Sequence, residues 1–168
     1  LNDQPVKIIG SHAGVSVGPD GATHQMLEDL ALMRALPNMV VIAPCDSIEA
    51  EKATLAMAKD KRPNYMRLAR EASPVFTTHD TPFEIGKAVV FADGTDITII
   101  GTGSMTYQAL LARELLHARN IKAEVIHCPT IKPLDAITII TSAKKTGAVI
   151  TIEEHQINGG LGGAVAEL

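Results

Sequence analysis

The chain has no tryptophan, two tyrosines and three phenylalanines among its 168 residues. A core or a base-stacking platform built on aromatic rings is thereby excluded. Cysteine is nearly as scarce: Cys45 and Cys128 stand alone, with no C-x-x-C pair. That argues against a disulfide scaffold or a zinc site, so no metal ligands are assigned, and both thiols are expected as small buried apolar groups of a reduced, cytoplasmic protein. Clustered basic residues are missing too, with 15 Lys and Arg against 19 Asp and Glu and a net charge of −4. Without a basic footprint, nucleic acid is no expected partner. No apolar run approaches the roughly 20 residues needed to cross a bilayer, and no charged segment precedes a signal core, so no membrane partner is expected. Short repeats, heptads and low-complexity tracts are absent.

What is present is a hydrophobic content of 46%, enough for a core, in a chain long enough for one domain or two small ones. Opening at Leu1 rather than Met and closing inside the helix-like run Gly163–Leu168, the chain reads as a fragment of something longer. Val6–Gly10 is a short β-rich segment, and after a turn-rich stretch Leu27, Leu30, Ala31 and Leu36 mark one helical face. Asn38–Pro44 reads as a strand. Asp46 followed by Glu49 makes a capping-box arrangement that predicts a helix over 47–59. Asn64–Ala69 supplies another strand, ending at Arg70 and Glu71.

From Ala72 to Pro82 apolar periodicity is lost, and a linker is placed at 76–82 between a first domain, 1–75, and a second, 83–168. The second half repeats the alternation: strands at 86–91, 97–100, 123–127 and 148–152, with helices from Ser104 to Arg119 and from Pro133 to Ser142. Two α/β units with parallel-sheet cores are predicted. Continuous runs such as Ile97-Thr98-Ile99-Ile100 suit strands covered on both faces.

The stretch Ser11–Gln25 carries the candidate chemistry: His12, Asp20 and His24 on a connection with glycines at 14, 18 and 21. Such a loop at a strand end is where open α/β sheets present ligand-binding groups. Thr23 is expected to cap the next helix, placing His24 in its first turn, where an imidazole can relay protons near pH 7. A histidine satisfying backbone groups in a tight loop is the plainer alternative. Of Arg67 and Arg70, one should face the site and bind a phosphate or carboxylate; otherwise they pair with Glu71 or a neighbouring acid.

Three further motifs read as structural. Gly101-Thr102-Gly103-Ser104-Met105-Thr106 lacks the third glycine of a dinucleotide fingerprint and suits a tight βα turn. Gly159–Gly163 suits a turn into a helix better than a phosphate cradle. Glu153, Glu154 and His155, adjacent at a strand end, cannot all face one ion and suit a solvated or interface role. His79, His117 and His127 have no partner at ligand spacing.

Taken as motifs, Ser11-His12-Ala13-Gly14 followed by Gly18-Pro19-Asp20-Gly21-Ala22-Thr23-His24-Gln25 resembles the pyrimidine-domain signature of transketolases, a thiamine-diphosphate-dependent family. Leu36–Pro44 continues the resemblance, and Gly101–Ser104 with Glu153–His155 and Gly159–Gly162 resembles the family's C-terminal domain. The likeness covers nearly the whole chain and is strongest to the C-terminal section of a split transketolase. It implies a fold of a partial pyrimidine-binding domain followed by the C-terminal domain, and the transfer of a two-carbon ketol unit between sugar phosphates. It also implies that His12, Asp20, His24 and Arg70 bind substrate, with His24 catalytic in proton transfer.

The implied cofactors are thiamine diphosphate and Mg2+ (or Ca2+), held largely by residues outside this stretch. The implied partners are the N-terminal section or subunit and further copies, in a homodimer or a heterotetramer. Pro19 stands where the family has a Glu, and no Gly-Asp-Gly diphosphate motif, activating glutamate or pyrimidine-packing aromatic set is present. Deoxyxylulose-phosphate synthase or a 2-oxoacid dehydrogenase β-subunit are the related alternatives, although the synthase carries Asp-Arg in place of Ser11-His12. A regulatory subunit that has lost its site is the alternative of another class, against which His12, Asp20, His24 and Arg70 together argue.

Overall fold

The structure, a computed structural model, describes residues 3–168. Two four-stranded sheets organise the chain. The first has the order β1 (Lys7–Gly10), β3 (Asn64–Arg67), β2 (Val40–Ile42) and β7 (Thr130–Lys132), parallel except for the antiparallel β2–β7 pair. The second has the order β4 (Val89–Ala92), β6 (Ala123–His127), β5 (Ile97–Gly101) and β8 (Val149–Ile152), parallel except for β4 against β6. Helices α1 (Asp29–Ala35), α2 (Ser47–Lys59), α3 (Met105–His117), α4 (Ala136–Thr146) and α5 (Leu161–Ala166) complete the α/β architecture. Among the described residues, no helix is long and apolar enough to cross a membrane.

Two-faced burial explains the apolar runs of the inner strands. In β2, Val40 and Ile42 pack with Ala53, Met57 and Met66, while Val41 packs with Leu30, Tyr65 and Ile131 on the opposite face. In the second sheet, Ile100 and Ile126 meet Ile139 and Leu161, and Ile99 and Val125 meet Ala109. The edges depart from this pattern, with Ile9 of β1 and Ile150 of β8 each about half exposed. Continuous apolar sequence therefore marks the strand but not the number of its covered faces.

β7 was not expected from the sequence. It leaves the second half of the chain and adds to the first sheet, carrying Ile131 into the cluster around Leu30 and Val41. Three residues after a proline are too few to show a period. The strand's presence displaces the expected 133–142 helix, which begins at Ala136 behind Asp135; the Asp135 carboxylate accepts from the Thr138 amide and hydroxyl. The helix expected to begin near Leu27 runs only from Asp29 to Ala35, so Leu36 lies beyond its end and is exposed.

α2 spans the predicted residues, and its capping carboxylate does more than cap. Asp46 Oδ1 accepts the Glu49 amide at 3.0 Å and the Thr77 hydroxyl at 2.7 Å. Oδ2 accepts the amides of Phe76 and Thr77. One carboxylate thus fixes both the helix start and the crossing segment that follows the first sheet. The expected return leg of the capping box is displaced by one residue: the Glu49 side chain accepts from the Cys45 amide at 2.7 Å, not from Asp46. The same Oε2 meets His127 Nε2 at 2.7 Å, tying α2 to β6 in the other sheet. His127 Nδ1 bonds the Thr106 hydroxyl on α3 at 2.7 Å, and Phe91 stacks on the ring. Both partners of the pair are buried, with 2% and 0% of their surfaces exposed.

Burial pushes the Glu49 carboxyl up, but the His127 imidazole and the Cys45 amide outweigh it and hold the group below the usual carboxylate range. Burial likewise opposes ionisation of Asp46, and the donors from Glu49, Thr77 and Phe76 prevail to lower its pKa. Removing one member of a buried pair strands the other. Glu49→Ala is therefore expected to destabilise the protein by about 3–5 kcal/mol in denaturant unfolding. A group with a lowered folded pKa stabilises above its unfolded value, about 4 for Asp, and loses that contribution as pH falls through the folded pKa. Denaturation midpoints should drop below about pH 4, and Asp46→Asn should lower the neutral-pH midpoint and flatten that acid limb.

Candidate active site

The connection after β1 is built to hold an irregular path. Ala13 donates its amide to Leu68 O, and Gly14 and Met26 exchange backbone hydrogen bonds as an isolated antiparallel bridge. Between them, Gly18–Asp20 and Ala22–His24 form two consecutive 3-10 turns. Gln25 Nε2 closes the loop on Val15 O. His12 has φ +63°, a left-handed conformation that costs a non-glycine residue on the order of 1 kcal/mol or more. Its Nδ1 lies 3.0 Å from the Ser11 hydroxyl and its ring is exposed.

Thr23 does not cap a helix, contrary to the expectation from sequence. It is the middle residue of the second 3-10 turn, and its hydroxyl meets His24 Nδ1 at 3.0 Å. α1 starts later, behind Glu28, whose side chain makes no cap hydrogen bond. His24 therefore sits at no helix start and meets no helix dipole, because three positive-φ glycines, 14, 18 and 21, let the chain turn instead of entering a helix. His24 stays exposed at the turn's end.

Arg67 and Arg70 divide as their spacing suggests. Arg67 points inward: its Nε lies 3.1 Å from Asp29 Oδ2, and its Nη2 donates to Met26 O. The Tyr65 hydroxyl donates to the same Asp29 oxygen at 2.7 Å. Burial first, and the Asp29 carboxylate second, push the Tyr65 phenol well above its ordinary pKa. Arg70 points to the loop, with Nε 2.6 Å from Asp20 and Nη1 2.9 Å from Glu71. The structure thus joins two predicted site residues, Asp20 and Arg70, by an ion pair that pins the first 3-10 turn. No hydrogen bond joins His12 or His24 to that pair among the described residues.

The second half of the chain also holds the loop, which the sequence did not reveal. Glu154 accepts from the Ser16 hydroxyl, and a side chain on Gly14 would collide with the Glu154 carboxylate. His155 Nε2 receives the Ala31 amide at 3.4 Å. Glu153 accepts the amides of Leu161 and Gly162 at the start of α5. The acidic run is therefore an interface between the halves rather than a solvated face. The glycine-rich turn is no phosphate cradle, because the chain's own carboxylate fills it and a Cβ at Gly160 would collide with Glu153. Beside the loop, a cleft of about 460 Å³ lies at the C-terminal ends of β2, β3 and β5, with Ala13, Cys45, Arg67, Glu71, Thr102 and Glu154 on its walls. This position suits a ligand site in such sheets, yet His12, Asp20, His24 and Arg70 do not line it.

Comparison with known proteins bears on this arrangement. The transketolase pyrimidine-binding domain matches residues 1–75, and the transketolase C-terminal domain matches residues 86–168. A putative transketolase C-terminal section of Methanocaldococcus jannaschii is 47% identical over 97% of this chain and 51% of its own. An apulose-4-phosphate transketolase subunit from Phocaeicola vulgatus is 41% identical over 96% of this chain and 52% of its own. The chain thus spans about half the length of these relatives. A solved structure described as a split gene transketolase, inactive beta4 tetramer, superposes with a TM-score of 0.89 at 44% identity, covering 96% of this chain and 52% of that one.

Thiamine diphosphate, the cofactor implied by the resemblance, does not fit the described residues. The glycine-rich helix start at α5 is occupied by Glu153. The aromatic side chains are committed elsewhere: Phe76 packs with Phe91 and Tyr107, Phe83 packs on the first sheet, and Tyr65 is buried against Asp29. Among the described residues no ring is left to pack on a pyrimidine beside the loop. Gly14→Ala, which combines a φ of +92° with the Glu154 clash, is expected to destabilise the chain by about 1–3 kcal/mol. Limited proteolysis should then cut first within 11–25.

Proposed function

Because the chain belongs to the transketolase family, whose members depend on thiamine diphosphate, we propose that it is the C-terminal section or subunit of a transketolase. It transfers a two-carbon ketol unit between sugar phosphates once combined with an N-terminal section. The observation that carries this reading is the Ser11–Gln25 loop itself, with two exposed imidazoles and an Asp20 ion-paired to Arg70. In this reading His24 hydrogen-bonds a substrate oxygen beside the reacting carbon and moves its proton. Asp20 takes a sugar hydroxyl, and His12 with Arg70 takes the hydroxyl chain and its terminal phosphate. Asp20 and Glu71 pair with the guanidinium, and their charge limits how tightly a phosphate is gripped.

The division into 1–75, a linker at 76–82, and 83–168 is part of the proposal. It is supported by the lack of helix or strand between β3 and β4. The N-terminal partner would supply the diphosphate cradle and Mg2+ (or Ca2+) sites that these residues lack. The open edge of β1, with Val6, Ile8 and Ile9 exposed, supports such a partner, since an apolar edge strand invites pairing. Assembly as a homodimer or heterotetramer follows the same logic, and the tetramer named for the split-gene relative is a precedent. Two free, buried thiols suit a reducing cytoplasmic setting.

Full-length protein mixed with its N-terminal section, thiamine diphosphate, Mg2+, xylulose 5-phosphate and ribose 5-phosphate should yield a seven-carbon sugar phosphate. Absence of product from folded subunits would favour a regulatory role. His24→Ala is expected to lower kcat by about a hundredfold or more. Arg70→Ala should raise KM for phosphorylated substrates about tenfold, the loss of one charged hydrogen bond, with kcat little changed. An unaltered KM would confine Arg70 to bracing the loop.

A further inference from the structure

Among the described residues outside the loop, one cluster of ligand-type side chains is left without a role in sugar chemistry. Cys45, Glu49 and His127 each offer one ligand atom, and these atoms all lie within 4.8 Å of one another. All three residues are buried. Of the three, Cys45 also lines the cleft at the ends of β2 and β5, and Glu49 and His127 lie buried behind it. We propose that Cys45, Glu49 and His127 bind a zinc-like divalent transition ion, with the fourth coordination position turned to the cleft for water or another small ligand.

Beyond the clustering itself, an unsatisfied oxygen points to a cation. Among the described residues Glu49 Oε1 is fully buried with no hydrogen-bond partner, although its twin Oε2 receives both the Cys45 amide and His127 and the Cys45 thiol also bonds the carboxylate. Buried carboxylate oxygens are normally satisfied. The imidazole is oriented by its other partners: Nδ1 meets the Thr106 hydroxyl at 2.7 Å and Phe91 stacks on the ring, so that Nε2 faces Glu49 Oε2 within the cluster. Such a second partner fixes ring orientation and tautomer for a metal.

Donor chemistry selects the ion. One sulfur, one nitrogen and one oxygen suit zinc, cobalt or ferrous ions, whereas magnesium and calcium take oxygen sets. A thiolate and a carboxylate together neutralise a divalent charge, so the loaded site would be neutral in its dry surroundings. Tetrahedral coordination at about 2.0–2.3 Å sets ligand atoms roughly 3.3–3.7 Å apart, so His127 Nε2 and Glu49 Oε2, 2.7 Å apart as hydrogen-bond partners, must part slightly when the proton between them leaves. On binding, the Cys45 S–H bond breaks and its proton leaves for solvent as the metal–sulfur bond forms. The His127 proton moves from Nε2 to Nδ1, where it is donated to Thr106, and Nε2 gives its lone pair to the metal. One proton is released per ion.

Cobalt(II) is the probe. The full-length protein, titrated with Co2+ alone, should take up about one equivalent with a tetrahedral visible spectrum and a near-ultraviolet sulfur-to-cobalt charge-transfer band, both removed by Zn2+. Cys45→Ala, a small change at a buried position, should abolish the charge-transfer band while circular dichroism stays native. Thr106→Val should keep the band and weaken binding by about tenfold, as loss of a ligand's second partner does. A folded wild-type protein that shows no charge-transfer band overturns the proposal, as does a band that survives in folded Cys45→Ala. The wild-type titration decides the matter even if a variant fails to fold.

Discussion

A hydrogen bond between two buried side chains, Glu49 on the helix after β2 and His127 at the end of β6, sets the relation between the two sheets. Neither group reaches solvent, so each depends on the other for one of its polar partners, and the sheets they belong to cannot slide apart without leaving both short of a hydrogen bond. The Cys45 amide and the Thr106 hydroxyl complete the arrangement from either side. Asp46, one residue along, extends it by binding the crossing segment at Phe76 and Thr77. The C-terminal ends of β2, β3 and β5 consequently converge, and the cleft opens between them.

That convergence also stiffens the loop from Ser11 to Gln25. The loop is braced on one side by Arg70 of its own half, through Asp20, and on the other by Glu154 of the second half, through Ser16. His12 and His24 are left exposed on a scaffold whose path is fixed at both ends. A site of this kind has positioned hydrogen-bonding groups and no cofactor cradle of its own, which accords with a chain that spans about half of its relatives' length. The scarce aromatic side chains work in packing, away from the loop.

Local signals were legible where a single residue carries the cause. Asp46 announced α2, because a capping carboxylate acts within three residues. The buried runs around Val40–Ile42 and Ile97–Ile100 announced inner strands. Thr23 misled because a hydroxyl ahead of apolar residues looks like a cap whether or not the glycines beside it let the chain enter a helix. β7 was invisible at three residues, and its pairing with β2 depends on a strand far upstream. His127 showed no partner in the sequence because Glu49 lies 78 positions away.

The sequence by itself determined the alternation of strand and helix, the placing of polar chemistry on the connection after β1, and the family to which that connection belongs, since each rests on residues adjacent in the chain. Tertiary structure alone decided which charges neutralise which: that Arg70 braces Asp20 while Arg67 serves Asp29, that Glu153 fills the glycine-rich turn, and that Glu49 and His127 join the halves. Charge pairing and burial are properties of distance in space, and at separations of tens of residues the linear order carries no record of that distance.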